Sequence, residues 1–426
     1  MRSVCMLLLC WLLARTSERT PLVDQFYRQR HQALFWYRPE SDAASLKDAA
    51  SLRMALMDCL DSAAWSGLDS NRYHIASLRV APSMAGPARP DARTLMDWDR
   101  MYTDAAIALA KDLFQGADKD RMLAYDGVSP TFAAEDDRMI LNGLGRVNSA
   151  TDLHRWMDGL EPRTAGYDSL KAALADHLAG PDASRSHSLR TALNAYRWIH
   201  HHVLPRYIVV NIPSATLRYF EKDSLILTMK VVAGQASKRT PRFAAWCNRI
   251  ILYPYWNVPR KIAVNELLPL FKREPAMVKL MNMQLLDAQG DTVDPQSLPW
   301  PSYDKKNFPF SVRQATGCDN ALGVVKFDIN SPFDVYMHDT NLKSAFFSNY
   351  RYYSHGCIRL EKPLALGLQL VHDKLDTTLL RACVKDQRPF SLSLDKAVPV
   401  FVVYLRAEAD TSGKINFYKD VYHLDP

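Results

Sequence analysis

The spacing of apolar residues divides the chain into two parts that follow different periods. Over about residues 20–204, apolar side chains recur at steps of three and four residues, the spacing of one face of an α-helix. This pattern predicts a helical region in which Gly116 ends one helix and Pro205 stops the last. The clearest helical stretches lie at 52–60, 95–113, 167–179 and 189–204.

From Tyr207 onward, short runs of β-branched and aromatic residues replace the helical pattern and predict β-strands. A helix-like, proline-rich stretch at 262–311 predicts an insertion over the sheet. The expected fold class is therefore α+β, with a helical domain at 20–204 followed by a β-rich domain at 205–426 that carries the insertion. The predicted strands cover 207–212, 216–220, 225–232, 249–258, 324–329, 334–338, 398–405 and 414–418.

The start of the chain carries one strongly apolar run, residues 4–14, shortly after Arg2. The run is too short to cross a bilayer and has the length of a signal-peptide core. It predicts an export signal over residues 1–19, whose removal would leave no transmembrane anchor. The alternative is a buried N-terminal helix, because Arg15 and the missing small-residue triplet obscure a cleavage site. Removal of the signal would also take away Cys5 and Cys10 and leave an odd number of cysteines.

The composition is that of a large globular protein and narrows the candidate functions. Of 426 residues, 48% are apolar, which suits a sizeable core in two or three domains. The net charge is +7, but both signs are interleaved along the chain, so no nucleic-acid partner is expected. The seven cysteines contain no C-x-x-C pair, which argues against a zinc ribbon or a thioredoxin-type site.

Two motifs in the helical region have simple structural interpretations. The tract His200, His201, His202 cannot converge on one metal ion, because neighbouring side chains on a helix point about 100° apart. It is expected at a helix C-terminus, where imidazolium complements the helix dipole. Gly143 and Gly145 neither follow a strand nor complete a phosphate loop, so they predict a turn.

The segment 336–360 is dense in groups that carry chemistry. A thiolate is a nucleophile and a histidine can serve as its base, so Cys357 and His338 form a candidate nucleophile–base pair. Gly356 allows a tight turn, and the amides around it could point at a developing oxyanion. Two other interpretations use the same residues: a buried structural cysteine beside surface histidines, or a zinc site formed by His338, His355 and Cys357.

These residues also resemble a known family. The segment SHGCIR at 354–359 resembles the S/T-H-G-C-x-R/N motif of the YkuD-type L,D-transpeptidases, in which a catalytic histidine lies upstream. The resemblance covers about residues 190–426, and the helical region before them is similar to the scaffold domain of the longer YcbB-like branch. That branch usually carries a small peptidoglycan-binding module, whose D-G-x-x-G-x-x-T pattern is not found in this sequence. Flanking stretches similar to the branch lie at 206–220, 253–259, 320–327, 335–340 and 419–425.

The resemblance implies a peptidoglycan cross-linking enzyme of the periplasm or cell envelope. The Cys357 thiolate, assisted by His338, would attack the L-centre carbonyl of diaminopimelate at stem position 3 and expel the terminal D-Ala. The side-chain amine of a second stem would then resolve the thioester and give a 3→3 cross-link. The implied partners are peptidoglycan stem peptides, as donor and acceptor, and other cell-wall synthesis proteins. Neither a metal nor an organic cofactor is required.

The resemblance also suggests roles for the residues around this pair. Asp339 is a candidate to orient His338, through its main chain or its carboxylate. Ser354 and His355 match motif positions that line the thiol, and either could hold the loop or help to form the acyl pocket. The candidates for substrate binding are Arg359, Tyr336, Tyr353, Trp256 and Asn257. Arg359 is expected either to bind a substrate carboxylate or to clamp its own loop, and the tyrosines either to contact the stem peptide or to belong to the core.

Several alternatives stay open from the sequence. Hydrolysis of the same thioester would make the protein an L,D-carboxypeptidase, and a fold without turnover would leave a non-catalytic wall-binding scaffold. A zinc hydrolase is the third hypothesis. The insertion at 262–311 resembles the capping subdomain of the branch, which would cover the cleft, exclude water and favour the amine acceptor. The family thiol is acylated by carbapenems, so Cys357 is expected to be a carbapenem target.

The implied reaction requires Cys357 to stay a free thiol. The remaining four, Cys59, Cys247, Cys318 and Cys383, can pair in three ways or stay buried.

Overall fold

The computed structural model describes residues 21–38, 43–82, 90–117, 134–178, 180, 182–331, 333–383 and 387–424. The predicted signal at 1–19, with Cys5 and Cys10, lies outside the described residues. Packing divides the chain into two compact units. A helical unit extends to His202 and also takes up Leu405–Lys419, while a β-rich unit comprises Val203–Tyr404 and the residues from Asp420 onward.

The helical unit confirms the three- and four-residue periodicity. None of the described helices is both long and apolar enough to cross a membrane. The helices are α1 (Pro21–Gln29), α2 (Ala43–Ser62), α3 (Ile75–Leu78), α4 (Ala92–Gln115), α5 (Ala134–Gly145), α6 (Ala150–Asp158), α7 (Ala165–Leu178) and α8 (Ala183–His202).

Local capping explains where several of these helices begin and end. The side chains of Asp91 and Ser149 accept the N–H of the third residue beyond them, at the starts of α4 and α6. Gly116 follows α4 with a φ of +83°, as predicted. The three histidines lie in the last turn of α8, also as predicted. The turn predicted at Gly143 is wrong, because Gly143 lies inside α5 and accommodates a neighbouring indole ring there.

The β-rich unit confirms the predicted change to strands. Its strands are β1 (Arg206–Asn211), β2 (Thr216–Glu221), β3 (Ser224–Gly234), β4 (Phe243–Leu252), β5 (Trp256–Asn257), β6 (Met283–Leu286), β7 (Thr292–Val293), β8 (Ser311–Gln314), β9 (Val325–Ile329), β10 (Met337–His338), β11 (Tyr352–Ser354), β12 (Ile358–Leu360) and β13 (Phe390–Val403). The main sheet has the order β11-β3-β12-β10-β9-β4-β13-β1-β2.

This main sheet closes on itself because the long strand β3 pairs along its length with β2, then β12, then β11. One face of the sheet forms a single apolar core, to which alternate residues of each strand contribute. Val325 and Phe327 of β9, Met337 of β10 and Ile358 of β12 all point into it. Residues between them face the other way, and this opposite face carries the polar side chains described below.

The segment predicted as an insertion forms a subdomain with its own apolar core, built from side chains between Val258 and Val312. Strands β5, β8, β6 and β7 make a small separate sheet in that order. A π-helical turn, Ala263–Leu267, interrupts the helical part of the subdomain. Its short helices are α9 (Arg260–Ile262), α10 (Leu268–Arg273) and α11 (Met277–Leu280). After the insertion, α12 (Pro363–Val371) and α13 (Thr377–Arg381) pack in the β-rich unit.

The last strand pair does not stay with the sheet. Strands β14 (Ala407–Ala409) and β15 (Ile415–Phe417) form an antiparallel hairpin within the helical unit. Ala407 is fully buried there among Tyr167 and Leu170 of α7 and Leu189 of α8. The sequence predicted one continuous β-rich domain over 205–426, whereas Leu405–Lys419 packs with the helical unit. The periodicity of a segment indicates a strand, but it does not indicate which surface the strand packs against.

One of the open cysteine pairings is present. Cys318 and Cys383 form a disulfide that joins residues 65 positions apart. Cys59, Cys247 and Cys357 are free thiols.

Candidate active site

Three neighbouring strands bring the candidate residues together on the face of the main sheet opposite the core. β10 runs parallel to β12, which places His338 beside Arg359. β10 runs antiparallel to β9, which places His338 directly opposite Lys326. Because side chains alternate along a strand, Tyr336 and Cys357 share this face with His338. The sheet register thus assembles residues that are distant in the sequence.

His338 is held in one tautomer by the main chain of the next residue. Its Nδ1 bonds the carbonyl oxygen of Asp339, so Nδ1 carries the hydrogen and the lone pair of Nε2 stays available. The side chain is buried, with 4% of its surface exposed. Burial lowers the pKa of His338 to about 3, and the nearby positive charges of Arg359 and Lys326 act in the same direction. His338 is therefore a neutral imidazole able to accept a proton.

The carboxylate of Asp339 has a different task from its main chain. It accepts the N–H of Val324 at 3.0 Å and pairs with the ammonium of Lys343. Gly323 leaves room for it, because a Cβ at position 323 would lie 2.3 Å from Asp339 Oδ2. Of the two ways in which Asp339 could orient His338, the structure contains the main-chain contact, and the carboxylate secures the neighbouring strands.

Cys357 is a half-buried thiol whose ionisation is opposed by its surroundings. Burial raises the pKa of Cys357, while hydrogen bonds from Tyr336 and the charges of Lys326 and Arg359 partly offset that effect. The thiol sulfur lies 3.9 Å from the carbonyl oxygen of Asp334. With a raised thiol pKa and a lowered imidazole pKa, the thiol and the histidine on this face of the sheet are both neutral at rest. The proton must then move when the sulfur attacks.

The loop before Cys357 is fixed by hydrogen bonds within the motif. The hydroxyl of Ser354 donates to the carbonyl of Cys357 at 2.6 Å, and the Gly356 N–H donates to the Ser354 hydroxyl at 3.1 Å. Gly356 has a φ of +116°, a conformation that favours glycine. Ser354 therefore positions the loop, and the Gly356 amide is already occupied.

A second layer of contacts holds the same loop from the end of the chain. The hydroxyl of Thr240 donates to the carbonyl of Gly356 at 2.8 Å. The Thr240 N–H donates to the hydroxyl of Tyr422 at 3.2 Å, and that hydroxyl donates to the carbonyl of Gly234 at 2.6 Å. The C-terminal Tyr422 thus helps to set the position of the loop that bears the thiol.

His355 points toward the insertion. Its Nε2 lies 2.9 Å from Oε1 of Glu266, which belongs to the π-helical turn of the subdomain. The ammonium of Lys238 bonds the same oxygen at 2.8 Å. Glu266 therefore ties the insertion to the loop that carries Cys357. The grouping of His338, His355 and Cys357 that a zinc site needs is not found within the described part of the chain.

The predicted substrate-binding residues differ in their surroundings. Arg359 is half-buried, and its guanidinium makes no hydrogen bond or ion pair with any residue that the structure describes, so it does not clamp its own loop. Trp256 is half-buried and bonds the side chain of Tyr336. Tyr353 packs beside Val232 in a small apolar cluster, away from the main core.

Asn257 is the most exposed of these candidates. It lies in β5 of the insertion, where its backbone is paired with Arg313 of β8. Its neighbour Trp256 reaches the catalytic face, whereas Asn257 takes the other side of the strand by alternation.

Sequence reasoning missed two charged residues at the site, Lys326 and Glu266. The ammonium of Lys326 lies 4.2 Å from the centre of the Tyr336 ring and 3.6 Å from Oδ1 of Asp328. Alternation along the predicted strand 324–329 would have placed Lys326 away from the core, but not opposite His338. The contact of Glu266 depends on how the insertion packs, which no local pattern in the sequence indicates.

Replacing Lys326 with methionine is expected to raise the pKa of Cys357 further, because a positive charge that favours the thiolate is lost. Alkylation of Cys357 by iodoacetamide at pH 8 should slow by about threefold to tenfold. Lys326→Arg should retain most of the wild-type rate. The matched control is Lys374→Met, which removes an exposed lysine paired with Asp395. An unchanged alkylation rate in Lys326→Met would contradict this electrostatic role.

Comparisons with known proteins find matches in both parts of the chain. The YkuD family model, described as an L,D-transpeptidase catalytic domain, matches residues 205–370, and a model described as a scaffold domain matches residues 21–174. A candidate L,D-transpeptidase of Haemophilus influenzae is 35% identical over 240 residues, which cover 55% of this chain and 48% of that protein. The chain thus spans about half the length of this curated relative.

Two solved structures are also similar in part. An L,D-transpeptidase from Mycobacterium smegmatis is 12% identical with a TM-score of 0.22, covering 47% of this chain and 58% of its own. L,D-transpeptidase 1 of Mycobacterium tuberculosis is 13% identical with a TM-score of 0.18, covering 47% and 61%. Residues 205–370 of this chain thus match the YkuD L,D-transpeptidase catalytic domain, and residues 21–174, which precede them, match a scaffold domain.

Proposed function

We propose that this protein is a cysteine peptidoglycan L,D-transpeptidase that forms 3→3 cross-links between stem peptides. The observation that carries the proposal is the state of His338. Its Nδ1 is committed to the Asp339 carbonyl, so a neutral Nε2 remains on the sheet face that also carries the Cys357 thiol. A neutral base beside a neutral thiol suits a step in which deprotonation and attack occur together.

In the first half of the reaction, the Cys357 sulfur attacks the carbonyl carbon of the diaminopimelate at stem position 3. The thiol proton passes to Nε2 of His338, and the sulfur–carbon bond forms. When the tetrahedral intermediate collapses, the carbon–nitrogen bond to the terminal D-Ala breaks, and His338 returns the proton to the leaving amine. The products are a thioester on Cys357 and free D-Ala.

The developing oxyanion needs a hydrogen-bond donor. The Gly356 amide is occupied by Ser354, so we assign this role to the main-chain N–H of Cys357. The guanidinium of Arg359, half-buried on the same face, is the proposed partner for a carboxylate of the stem peptide. Tyr336 and Trp256, bonded to each other, would form the wall against which the donor lies.

In the second half, the side-chain amine of an acceptor diaminopimelate attacks the thioester carbon and gives its proton to His338. The new amide bond forms and the Cys357 sulfur leaves and recovers a proton. Water in place of the amine would release a tripeptide. We propose that the insertion, tied to His355 through Glu266, limits water at the thioester and so favours the amine.

The YkuD family consists of cell-wall enzymes, so the substrate proposed for this protein is the cell-wall polymer. The polymer lies outside the cytoplasmic membrane, so we propose that residues 1–19 direct export and that the enzyme acts in the periplasm or cell envelope. Stem peptides are its substrates, and other cell-wall synthesis proteins are its proposed partners.

The test is to incubate the full chain with a soluble disaccharide tetrapeptide and to analyse both protein and products by mass spectrometry. We expect an acyl adduct on Cys357, free D-Ala and a cross-linked dimer. A tripeptide without dimer would indicate a carboxypeptidase instead. An unmodified protein that binds insoluble peptidoglycan would indicate a non-catalytic scaffold. A carbapenem provides a second probe, since it should acylate the same thiol.

A further inference from the structure

The helical unit contains a cleft, between α5 and α6, that plays no part in the proposed chemistry. The cleft has a volume of about 820 Å³ and is lined by Arg138, Arg146, Arg155 and Trp156, among others. A second groove of about 360 Å³ shares Asn142 and Arg146 with the cleft and continues toward α1. The two form one extended depression on the surface of the scaffold domain.

The cleft is built around an aromatic side chain. Trp156 of α6 lies so close to α5 that a Cβ at position 143 would be 2.2 Å from its indole Nε1. Only glycine at position 143 therefore lets the ring take this place. The ring is half-exposed, and its N–H has no hydrogen-bond partner among the residues that the structure describes. The face of the ring is thus offered to the cleft, while its N–H edge lies against α5 at Gly143.

The cleft is lined by three arginines, Arg138, Arg146 and Arg155, and by the carboxylates of Glu135 and Asp152. Arg155 pairs with Asp152 at 3.1 Å, and Arg138 has a looser contact of 3.8 Å with Glu135. Arg146 is exposed and has no carboxylate partner within the described ranges. A guanidinium group can only donate hydrogen bonds, so the unpaired Arg146 and the loosely paired Arg138 favour a ligand that carries acceptors.

The adjoining groove continues the same chemistry. Its lining includes Gln29 and Arg30 beside Arg146. The Arg30 guanidinium lies 4.8 Å from the centre of the Phe35 ring, and its buried Nε lacks a partner in the part of the chain that is described. Arginine side chains thus line both the cleft and the adjoining groove, which suits an extended ligand such as a polymer.

From these features we propose that the α5–α6 cleft is a docking site for the peptidoglycan strand. The sugar rings would lie against Trp156, and the stem carboxylates and N-acetyl oxygens would accept hydrogen bonds from Arg138 and Arg146. The choice of ligand rests on the proposed function, because that reaction brings an acidic, sugar-based polymer to this protein.

The experiment is cosedimentation of the full chain with purified, insoluble peptidoglycan. Arg138→Gln combined with Arg146→Gln should weaken binding by about tenfold or more, because two charge-assisted contacts are lost. Trp156→Phe should weaken it less, since an aromatic ring face is kept. The matched control is Arg79→Gln, which removes an exposed arginine paired with Asp61 in the same unit.

Two further measurements separate this proposal from the proposed function. Acylation of Cys357 by a soluble tetrapeptide should be unchanged in the double variant, and its thermal unfolding should match that of Arg79→Gln. If the wild type binds peptidoglycan through the cleft but Cys357 is never acylated, the docking site is supported and the proposed transpeptidase activity is contradicted. Unchanged sedimentation of the double variant, or stronger binding of the wild type to DNA or anionic vesicles than to peptidoglycan, would overturn the docking site.

Discussion

Replacing Cys357 with alanine is expected to abolish the acyl-enzyme and all turnover while leaving the fold intact. No other cysteine in the described chain can take over. Burial raises the pKa of Cys59 and of Cys247 to about 12, and Cys318 and Cys383 are joined in a disulfide. The side chain of Cys357 is half-buried at the outer face of the sheet, so its loss removes little core packing.

Mass spectrometry after incubation with a disaccharide tetrapeptide or a carbapenem measures this loss directly. The matched control is Cys247→Ala, which removes a thiol in the core and should keep the adduct on Cys357. An adduct of unchanged mass in Cys357→Ala would contradict the assignment. In the wild type, the rate of alkylation of Cys357 should keep rising with pH beyond the ordinary thiol range, because burial raises the pKa of this thiol.

The family motif was readable from the sequence because its residues are adjacent in the chain. Ser354 and Gly356 act on the loop that also contains Cys357, so a local pattern reports a local structure. His338 was also predictable, since it ends a strand recognisable by its composition. The sequence did not show whether Asp339 orients His338 through its main chain or through its carboxylate. Every residue has a main-chain carbonyl, so no sequence pattern reveals which one accepts a hydrogen bond.

The rest of the site depends on the pairing of distant segments. Lys326 faces His338 only because β9 and β10 are antiparallel in one particular register. Glu266 reaches His355 only because the insertion packs against the catalytic loop. The same limit applies to the fold. The second strand of the terminal hairpin was predictable from 414–418, but its pairing with Ala407–Ala409 instead of the strand predicted at 398–405 was not. The burial of the hairpin beside Tyr167 in the helical unit was not predictable either, because apolar residues do not specify which apolar surface covers them.

Replacing His338 with glutamine is expected to lower kcat/KM by about a hundredfold to ten-thousandfold, the usual contribution of a general acid–base group. Glutamine keeps a polar side chain of similar length, so the loss should reflect proton transfer more than packing. A variant at the exposed His423 serves as the control. The residual rate should rise with pH more steeply than in the wild type, because hydroxide must then supply the thiolate. A kcat/KM of His338→Gln within threefold of the wild-type value would contradict the role of His338 as the general acid–base group.

The same substitution has a second readout that depends only on folding. In the unfolded chain, His338 takes up a proton near its ordinary pKa of 6.5, whereas in the folded protein it stays neutral until about pH 3. The unfolded state therefore binds more protons between these values, and the free energy of unfolding falls as pH drops through this range. Between pH 6.5 and pH 4.5 the wild type should lose roughly 2 kcal/mol through this group. Urea unfolding at both pH values should show a smaller loss in His338→Gln, and an equal loss in the two proteins would mean that His338 is not held neutral by burial.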